Sequence, residues 1–388
     1  MKTAAIICEY NPFHRGHSKQ FAAIREALGP DAGIVCLMSG SYVQRGEPAV
    51  FDKYCRSAAA IECGADLILE LPLTAALSSA EGFANGGVDV LTRLGGINYL
   101  CFGCETGNQE KLMETAKILR SPEFSEQLRK GLTDGDSFAS LRQRTLSIMG
   151  GDSSILEQPN DILAVEYCKA LLSRQSSILP LPIRRGGSYH ADIPDPENPS
   201  ATSLRAMMPD SQWLSYIPEE AAQLFANAPI HRLSYGERAI LARLRAMDDA
   251  EFEALPYGAE GLWRKLMKES RQAPTIEALV STVKSRRYAR SRIMRMVMCA
   301  FLGLREEDLK ESTPYVRILA FNETGQKLLR RAADEGTVSL LHPGQRADGA
   351  YAKLEDRAER LYPLFLPPEN SCALPAHVEA YRKNHGKN

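Results

Sequence analysis

Two histidines near the amino terminus, His14 and His17, have the spacing of a pair that acts on one ligand. Residues three apart on a helix lie on one face, so both imidazoles can point from the same turn. Gly16 between them leaves room for a ligand to approach the backbone. Two imidazoles over a triphosphate can donate hydrogen bonds to the charge that develops on a leaving pyrophosphate. Two surface histidines at a helix start would give the same pattern, so H-x-x-H alone is weak evidence.

The elements around this pair make the functional interpretation stronger. Short apolar runs alternate with helical stretches over the first hundred residues, which is typical of β-α units around a buried parallel sheet. The predicted strands are Thr3–Glu9, Gly33–Met38, Asp66–Leu71 and Ile97–Phe102, and the predicted helices are Phe21–Leu28, Phe51–Cys63 and Ala80–Leu94. The histidine pair therefore falls where the first strand ends and the first helix begins. Ligands of open α/β sheets bind at that edge, and a helix N-terminus there suits phosphates.

The rest of the chain is mainly helical, and its length of 388 residues favours two domains. Further strands are predicted at Ile178–Arg184 and Tyr315–Asn322, the second followed by a basic helix, Gln326–Ala333. The best boundary lies near Ser211–Ile217. We therefore predict a Rossmann-like α/β nucleotide-binding domain at 1–212 and a mainly helical domain at 213–388.

Composition excludes several classes of protein. The formal net charge of −1 excludes a globally basic nucleic-acid coat but allows a local basic patch. No apolar run reaches the roughly 18 residues that a membrane span needs, and the start does not read as a secretory signal, so we expect a cytoplasmic protein. Cys101 and Cys104 form a C-x-x-C without a second pair, which favours buried thiols over a zinc site.

The loop after the first strand also carries a family resemblance. The chain has neither a P-loop sequence nor a G-x-G-x-x-G after its first strand, which disfavours both of those nucleotide folds. His14-Arg15-Gly16-His17 resembles the HIGH signature of nucleotidyltransferases, and the longer string EYNPFHRGH is similar to the bacterial tRNA(Met) cytidine acetate ligase family. The similarity continues through Gly40–Pro48, Asp66–Pro72, Phe102–Glu105, Pro159–Leu163, Arg184–His190, Ser200–Arg205 and, more loosely, Lys284–Arg295.

That resemblance implies a reaction and a set of site residues. Acetate and ATP, with Mg²⁺ bridging the phosphates, would form acetyl-adenylate, and the acetyl group would pass to N4 of the wobble cytidine of elongator tRNA(Met). His14, His17 and Arg45 would be catalytic. The residues expected to bind ATP are Ile7, Cys8, Glu9, Tyr10, Asn11, Pro12, Phe13, His14, Gly16, His17, Gly103, Asn160, Arg184, Arg185, Thr202 and Ser203.

Several of these residues also have a plain structural interpretation. Arg45 follows the second strand and can bind a phosphate or the acetate carboxylate, or it can be a solvated loop arginine. Gly103 is either a turn residue or a site of close approach to adenine or ribose, and Asn160 is either a helix cap or a nucleotide contact. Arg184 and Arg185 suit phosphates at a strand end. Thr202 and Ser203 enter a helix in a Ser/Thr-rich turn that can cap the helix, cradle phosphates, or both.

A basic segment further along the chain is the candidate for tRNA binding. Lys284, Arg286, Arg287 and Arg290 occur with no acid among them, and Tyr288 inside the segment can stack on a base. On a helix these charges would spread over a wide arc, so a solvated basic helix is the competing interpretation. Two other functions stay open: a small-molecule nucleotidyltransferase, which would leave the basic segment unexplained, and a tRNA-binding protein with a vestigial nucleotide site.

Overall fold

The computed structural model describes residues 1–131, 138–185, 199–208, 210–342, 344–370 and 381–383. Residues 186–190 of the Arg184–His190 string lie outside that part of the chain. The strands are β1 (Thr3–Cys8), β2 (Gly33–Ser39), β3 (Tyr42–Val43), β4 (Glu47–Pro48), β5 (Leu67–Leu71), β6 (Tyr99–Cys104), β7 (Leu179–Arg184), β8 (Tyr315–Phe321), β9 (Ser339–Leu341) and β10 (Tyr381–Arg382).

The main sheet has the strand order β10-β8-β5-β2-β1-β6-β7, and β9 also pairs with β8. Five neighbouring strands, β5, β2, β1, β6 and β7, run parallel. Cys8 pairs with Met38 at the end of β1 and Cys104 pairs with Arg184 at the end of β6. The loops after these strands therefore open at one carboxyl edge of the sheet.

The predicted strands all exist, but the sheet is not purely parallel. The fourth strand begins two residues later than predicted, at Tyr99. The strand predicted at Tyr315–Asn322 pairs antiparallel with β5, with Leu67 opposite Phe321. The expected parallel sheet is confirmed for the five strands from β5 to β7, and β8 adds an antiparallel strand to it. This addition has a physical reason, because β8 comes from the last quarter of the chain and covers the edge of β5 that would otherwise be unpaired.

The helices follow the predicted regions. They are α1 (Arg15–Leu28), α2 (Lys53–Glu62), α3 (Leu73–Ala76), α4 (Ala80–Leu94), α5 (Gln109–Arg120), α6 (Pro122–Lys130), α7 (Phe138–Ile148), α8 (Pro159–Ser173), α9 (Ala201–Met207), α10 (Glu219–Phe225), α11 (Leu233–Ala246), α12 (Asp249–Glu253), α13 (Leu262–Ser270), α14 (Ile276–Val283), α15 (Arg290–Leu302), α16 (Glu323–Glu335) and α17 (Ala350–Leu361). Short polar caps set several starts: Asp52 accepts from the amides of Tyr54 and Cys55, and Ser79 accepts from that of Gly82.

Both faces of the sheet are covered. Alternate residues of β1 point to opposite faces, so Ala5 and Ile7 pack with α4 and α8, whereas Ala4 and Ile6 pack with residues of α1 and α2. A third core joins α11, α13, α14 and α15. The sheet crosses the boundary expected at residue 212, because β8 and β10 belong to it. The division into 1–212 and 213–388 therefore stays a prediction. None of the described helices is long and apolar enough to cross a bilayer.

Candidate functional site

The loop after β1 brings the two histidines into direct contact. His14 is the N-cap of α1, and its Nδ1 accepts a hydrogen bond of 3.2 Å from the Gly16 amide. The His14 amide in turn donates to Nδ1 of His17 at 3.1 Å. The two rings stack with centroids 3.7 Å apart. Because both Nδ1 atoms accept from the backbone, a neutral ring in either position carries its proton on Nε2.

Both imidazoles are held in the neutral form. Burial lowers the pKa of His14 to about 3, and the charge of Arg185 adds to the effect. Burial also lowers the pKa of His17 well below its ordinary value, with further contributions from His14 and Arg185. Two neutral rings, each with its Nδ1 occupied by a backbone amide, carry their donor on Nε2 and are suited to donate a hydrogen bond to an anion.

An aromatic cluster fixes the position of His17. Tyr10 and Phe13 are almost fully buried, and their ring centroids lie 4.7 Å and 5.3 Å from that of His17. Phe21 of α1 packs against both aromatic rings. The segment between β1 and α1, which includes Asn11 and Pro12, is therefore a packed structure and not an open loop.

Arg56 of α2 stabilises this segment through hydrogen bonds to backbone carbonyl groups. The sequence analysis did not identify Arg56 as a residue of the site. The side chain is completely buried and donates to the carbonyl groups of Glu9 at 2.6 Å, Ser39 at 3.0 Å and Gly40. It thus ties the carboxyl ends of β1 and β2 together. An arginine in an Ala-rich helix gives no signal of this role in one sequence.

Glu9 connects the histidine loop with the loop after β2. Its Oε1 accepts from the Gln44 amide at 2.7 Å, and burial raises the pKa of the Glu9 carboxyl. Arg45 is exposed beside this contact, and its charge lowers the pKa of Glu9 in opposition to burial. Arg45 therefore lies at the rim of the same edge, accessible to a ligand.

The ends of β6 and β7 form the other side of the site. The aliphatic part of Arg185 covers Gly103 so closely that a Cβ at position 103 would lie 2.9 Å from its Cδ. Asn160 accepts from Arg185 at 3.4 Å and donates to Glu105 at 2.7 Å. Arg184 is exposed, and a Cβ at position 107 would lie 2.8 Å from its Cβ.

The helix-cap interpretation of Asn160 is wrong. The N-cap of α8 is Gln158, and Asn160 already lies inside the helix. Glu105, which lies outside the helix, caps its first turn, because the Glu105 carboxylate accepts a hydrogen bond of 2.9 Å from the Asp161 amide. Asp161 returns the contact by accepting from the amides of Glu105 and Thr106, both at 3.0 Å. This reciprocal pair leaves the side chain of Asn160 at the edge of the site.

The Ser/Thr-rich turn caps its helix, as one interpretation predicted. Ser200 Oγ accepts from the Ser203 amide at 3.1 Å, and the Ser203 hydroxyl donates to the Ser200 carbonyl at 2.9 Å. Thr202 is exposed next to Arg205, which donates to it at 3.3 Å. Arg205 also donates to the Asn11 carbonyl at 2.7 Å, which brings α9 to the histidine loop.

A buried ion network supports the loop after β2. Lys53 contacts Glu70 at 2.9 Å and Glu359 of α17 at 3.1 Å. Gly40 has no room for a side chain, because a Cβ there would collide with Oε1 of Glu70. Ser41 donates to Glu359 at 2.9 Å. The C-terminal helix α17 thereby helps to fix the start of the loop that carries Arg45.

The basic segment does not form the helix that one interpretation assumed. Lys284, Arg286 and Arg287 lie in the loop between α14 and α15, and Arg290 is the first residue of α15. We call residues 284–290 the basic loop. Two of its cations are paired: Arg287 with Glu260 at 3.0 Å, and Arg290 with Glu277 at 2.7 Å.

Comparison with known proteins agrees with this geometry. The sequence profile of the HIGH Nucleotidyl Transferase family matches residues 1–374. A tRNA(Met) cytidine acetate ligase of Clostridium novyi is 35% identical over 358 residues, which cover 88% of this chain and 89% of that protein. The enzyme of the same name from Acetivibrio thermocellus is 33% identical over 366 residues, 88% of each chain. The chain belongs to the tRNA(Met) cytidine acetate ligase family.

Solved structures extend the similarity to the fold. Thermotoga maritima TmcAL bound with alpha-thio ATP superposes with a TM-score of 0.87 at 28% identity, covering 99% of this chain and 100% of that one. The apo form of the same protein gives a TM-score of 0.89 at 27% identity, with the same coverage. This chain and the Thermotoga maritima protein therefore share one fold over almost their whole lengths.

Proposed function

We propose that this chain uses ATP to activate acetate as acetyl-adenylate and then transfers the acetyl group to N4 of the wobble cytidine of elongator tRNA(Met). The product is N4-acetylcytidine. The observation that carries the proposal is the pair of stacked, neutral imidazoles at the β1–α1 junction, in a chain that matches ligases of this name over most of its length. The supporting relative is a ligase by name, and a structural neighbour binds an ATP analogue.

His14 and His17 act as donors to the triphosphate. Each Nδ1 is occupied by a backbone amide, so Nε2–H is the donor that each ring can direct at a phosphate oxygen. Charge grows on the β-phosphate side as pyrophosphate leaves, and preorganised neutral donors stabilise it without a proton transfer. The lowered pKa values of both rings keep them neutral at physiological pH in the protein without ligand.

The remaining site residues position the reactants. Acetate is ionised at neutral pH and needs no base, so the enzyme must only align its carboxylate with the α-phosphate. Arg45 at the rim suits that carboxylate or a phosphate. Arg185 and Asn160, which contact each other beside the histidines, suit the nucleotide, and the exposed Arg184 and Thr202 suit the phosphates. Backbone from Ile7 to Phe13 lines the approach to adenosine.

A divalent cation fits the reaction as a companion of ATP. Among the described residues, no three His, Cys, Asp or Glu side chains are placed to hold a metal ion together. Mg²⁺ usually keeps most of its waters and binds through substrate phosphates, which requires no protein cage. We therefore assign Mg²⁺ to the triphosphate and assign no catalytic step to a protein ligand of the metal.

One experiment tests the whole proposal. The protein is incubated with ATP, labelled acetate and bulk tRNA, and the tRNA is digested to nucleosides. We expect label in N4-acetylcytidine only when ATP is present, and pyrophosphate release with acetate even without tRNA. A parallel tube with acetyl-CoA and no ATP gives the decisive contrast. Acetylated cytidine in that tube alone would exclude the ligase function.

A further inference from the structure

Helix α13 carries a second row of cations, which the proposed function does not use. Arg264, Lys268 and Arg271 are exposed and spaced i, i+4 and i+7, so their side chains share one face. We call these three residues the α13 stripe. The row covers about two turns of helix and presents its charges to solvent.

The stripe borders a cleft with an aromatic wall. The cleft has a volume of about 500 Å³ and is lined by Asp249, Trp263, Arg264, Met267, Lys268, Arg271 and Gln272. Trp263 is half-buried, and the Arg264 guanidinium lies 4.6 Å from the centroid of its ring. An indole face beside guanidinium and ammonium groups is the combination that proteins use to stack one base and hold the adjoining phosphates.

Much of the positive charge of the stripe is not paired with a carboxylate of the described residues. Arg287 and Arg290 of the loop are paired with Glu260 and Glu277 at 3.0 Å and 2.7 Å. In the part of the chain that the structure describes, no carboxylate lies within 4.0 Å of Arg264 or Lys268. Arg271 has a single long contact of 3.8 Å with Asp249. Arg264 and Lys268, like the exposed Lys284 and Arg286 of the basic loop, therefore present charge that attracts a polyanion.

The basic loop packs against the start of α13 and against Lys265 of that helix. Glu260, just before α13, accepts from Arg287, and the Tyr288 hydroxyl donates to the Glu260 carbonyl at 2.7 Å. Lys265 of α13 donates to the Val283 carbonyl at 3.0 Å, next to Lys284. An RNA that contacts the basic loop therefore lies close to the helix that carries the stripe.

We propose that the α13 stripe binds the phosphate backbone of the substrate RNA and that Trp263 stacks on an unpaired base in the cleft. This inference rests on the proposed function, because the RNA is the tRNA that receives the acetyl group. Repeated phosphates explain a row of cations, and a base explains the aromatic wall. An acidic protein surface would pair with the charges but would not account for an aromatic ring in the wall of the cleft.

Salt-dependent tRNA binding tests the stripe. In the double variant Arg264→Gln/Lys268→Gln, the slope of log affinity against log salt should fall by about two, because each cation on a phosphate contributes about one. The control is Lys117→Gln/Arg120→Gln, which removes the same two charges from exposed positions on α5. The control should bind tRNA like the wild type. Acetate-dependent pyrophosphate release should be unchanged in both variants, since neither pair touches the nucleotide site.

Tryptophan fluorescence tests the base contact. The chain has two tryptophans, and Trp213 is buried, so quenching by added tRNA reports mainly on Trp263. We expect quenching in the wild type and none in Trp263→Phe. Trp263→Ala should weaken tRNA binding roughly 5- to 150-fold, with Trp263→Phe weakening it less.

The outcomes separate this inference from the proposed function. If the wild type acetylates tRNA but the double variant keeps the wild-type affinity and slope, the stripe has another partner and the inference is wrong. If the salt slope falls in the double variant but tRNA does not quench the fluorescence of the wild type, the phosphate contacts are supported and the stacking of Trp263 is wrong. A wild-type protein that binds no tRNA would overturn the proposed function and this inference together.

Discussion

At the scale of single residues, the site depends on the protonation state of two imidazoles. His14 and His17 are spaced for one helix face, but spacing alone does not choose between acid, base and neutral donor. Burial and the contacts of each Nδ1 with a backbone amide make that choice. A pair that stays neutral at pH 7 can stabilise developing negative charge without exchanging protons with the substrate.

Removing either ring should stop the first half-reaction. We expect His14→Ala and His17→Ala to slow acetate-dependent pyrophosphate release by a factor on the order of a hundred or more. His14 also caps α1, so alanine there costs stability as well. His14→Asn restores a good capping residue without an imidazole and should remain just as inactive while melting near the wild-type temperature. Near-wild-type release by these variants would place the nucleotide site elsewhere.

The stability of the unliganded protein should fall as the pH decreases. The folded pKa of His14 is about 3, against about 6.5 in the unfolded chain, so the unfolded state binds the extra proton below pH 6.5. The free energy of unfolding then drops by about 1.4 kcal/mol per pH unit for this residue. Between pH 7 and pH 5, the free energy of unfolding of the wild type should fall by roughly 2 kcal/mol relative to that of His14→Asn. Denaturant titrations of both proteins at both pH values measure this change. If the two free energies of unfolding change equally between pH 7 and pH 5, the pKa of His14 is not lowered by folding.

At the scale of elements, the sequence located most strands and helices correctly. Apolar runs bounded by Gly and Pro placed β2 and β5 within a residue or two, and α4 occurs over the predicted Ala80–Leu94. The Ser200 cap was readable as well, because a Ser three residues before Ser203 is a local pattern. Local patterns are enough for these features, since backbone hydrogen bonding and alternation depend on near neighbours.

Long-range features could not be read from one sequence. The clamp made by Arg56 joins groups 16 and 47 residues away, and the Glu105–Asp161 pair spans 56 residues. The antiparallel pairing of β8 with β5 brings together strands about 250 residues apart. The hydrophobic periodicity of one sequence does not indicate which distant residue such a group contacts. The Asn160 error has the same origin, since a distant glutamate took over the helix start.

The turn between β3 and β4 must let α15 approach. Gly46 has a φ of 77°, and a Cβ there would lie 2.4 Å from the Met294 carbonyl carbon. We expect Gly46→Ala to displace α15 or the turn, and thereby to lower stability and both half-reactions. Gly150→Ala is the matched control, because its φ is 82° and a Cβ there has no neighbour within 4 Å. If thermal unfolding shifts equally in both variants, backbone strain and not the contact with α15 explains the loss.

At the scale of the whole molecule, α15 joins the two functional surfaces. Its first turn belongs to the basic loop, and Arg295 further along the helix donates to the Gln44 carbonyl at 3.4 Å. The amide of Gln44 donates to Glu9 in the histidine loop. A tRNA held at the basic loop would therefore be attached through one helix to the edge of the sheet at which we propose that the adenylate forms. Such a connection suits a reaction in which the intermediate must not be lost before tRNA receives the acetyl group.

This arrangement predicts that the two half-reactions can be separated by mutation. The triple variant Arg286→Glu/Arg287→Glu/Arg290→Glu should form acetyl-adenylate at the wild-type rate but transfer acetyl to tRNA poorly. The salt dependence of tRNA binding should flatten by about one unit of slope for each lost phosphate contact. Pyrophosphate release without tRNA and acetylcytidine formation with tRNA measure the two steps in one preparation.

Charge reversal alone would leave an ambiguity, which a neutral variant removes. Glutamates at 287 and 290 would face Glu260 and Glu277, the present partners of those arginines, and could disturb the loop by repulsion. Replacing the same three arginines by glutamine removes the attraction for phosphate without adding like charges. If the glutamine variant also loses acetyl transfer while keeping adenylate formation and melting temperature, the basic loop contacts tRNA. If it binds and acetylates tRNA as the wild type does, residues 286–290 form only a solvated loop, and the RNA must be held by other cations.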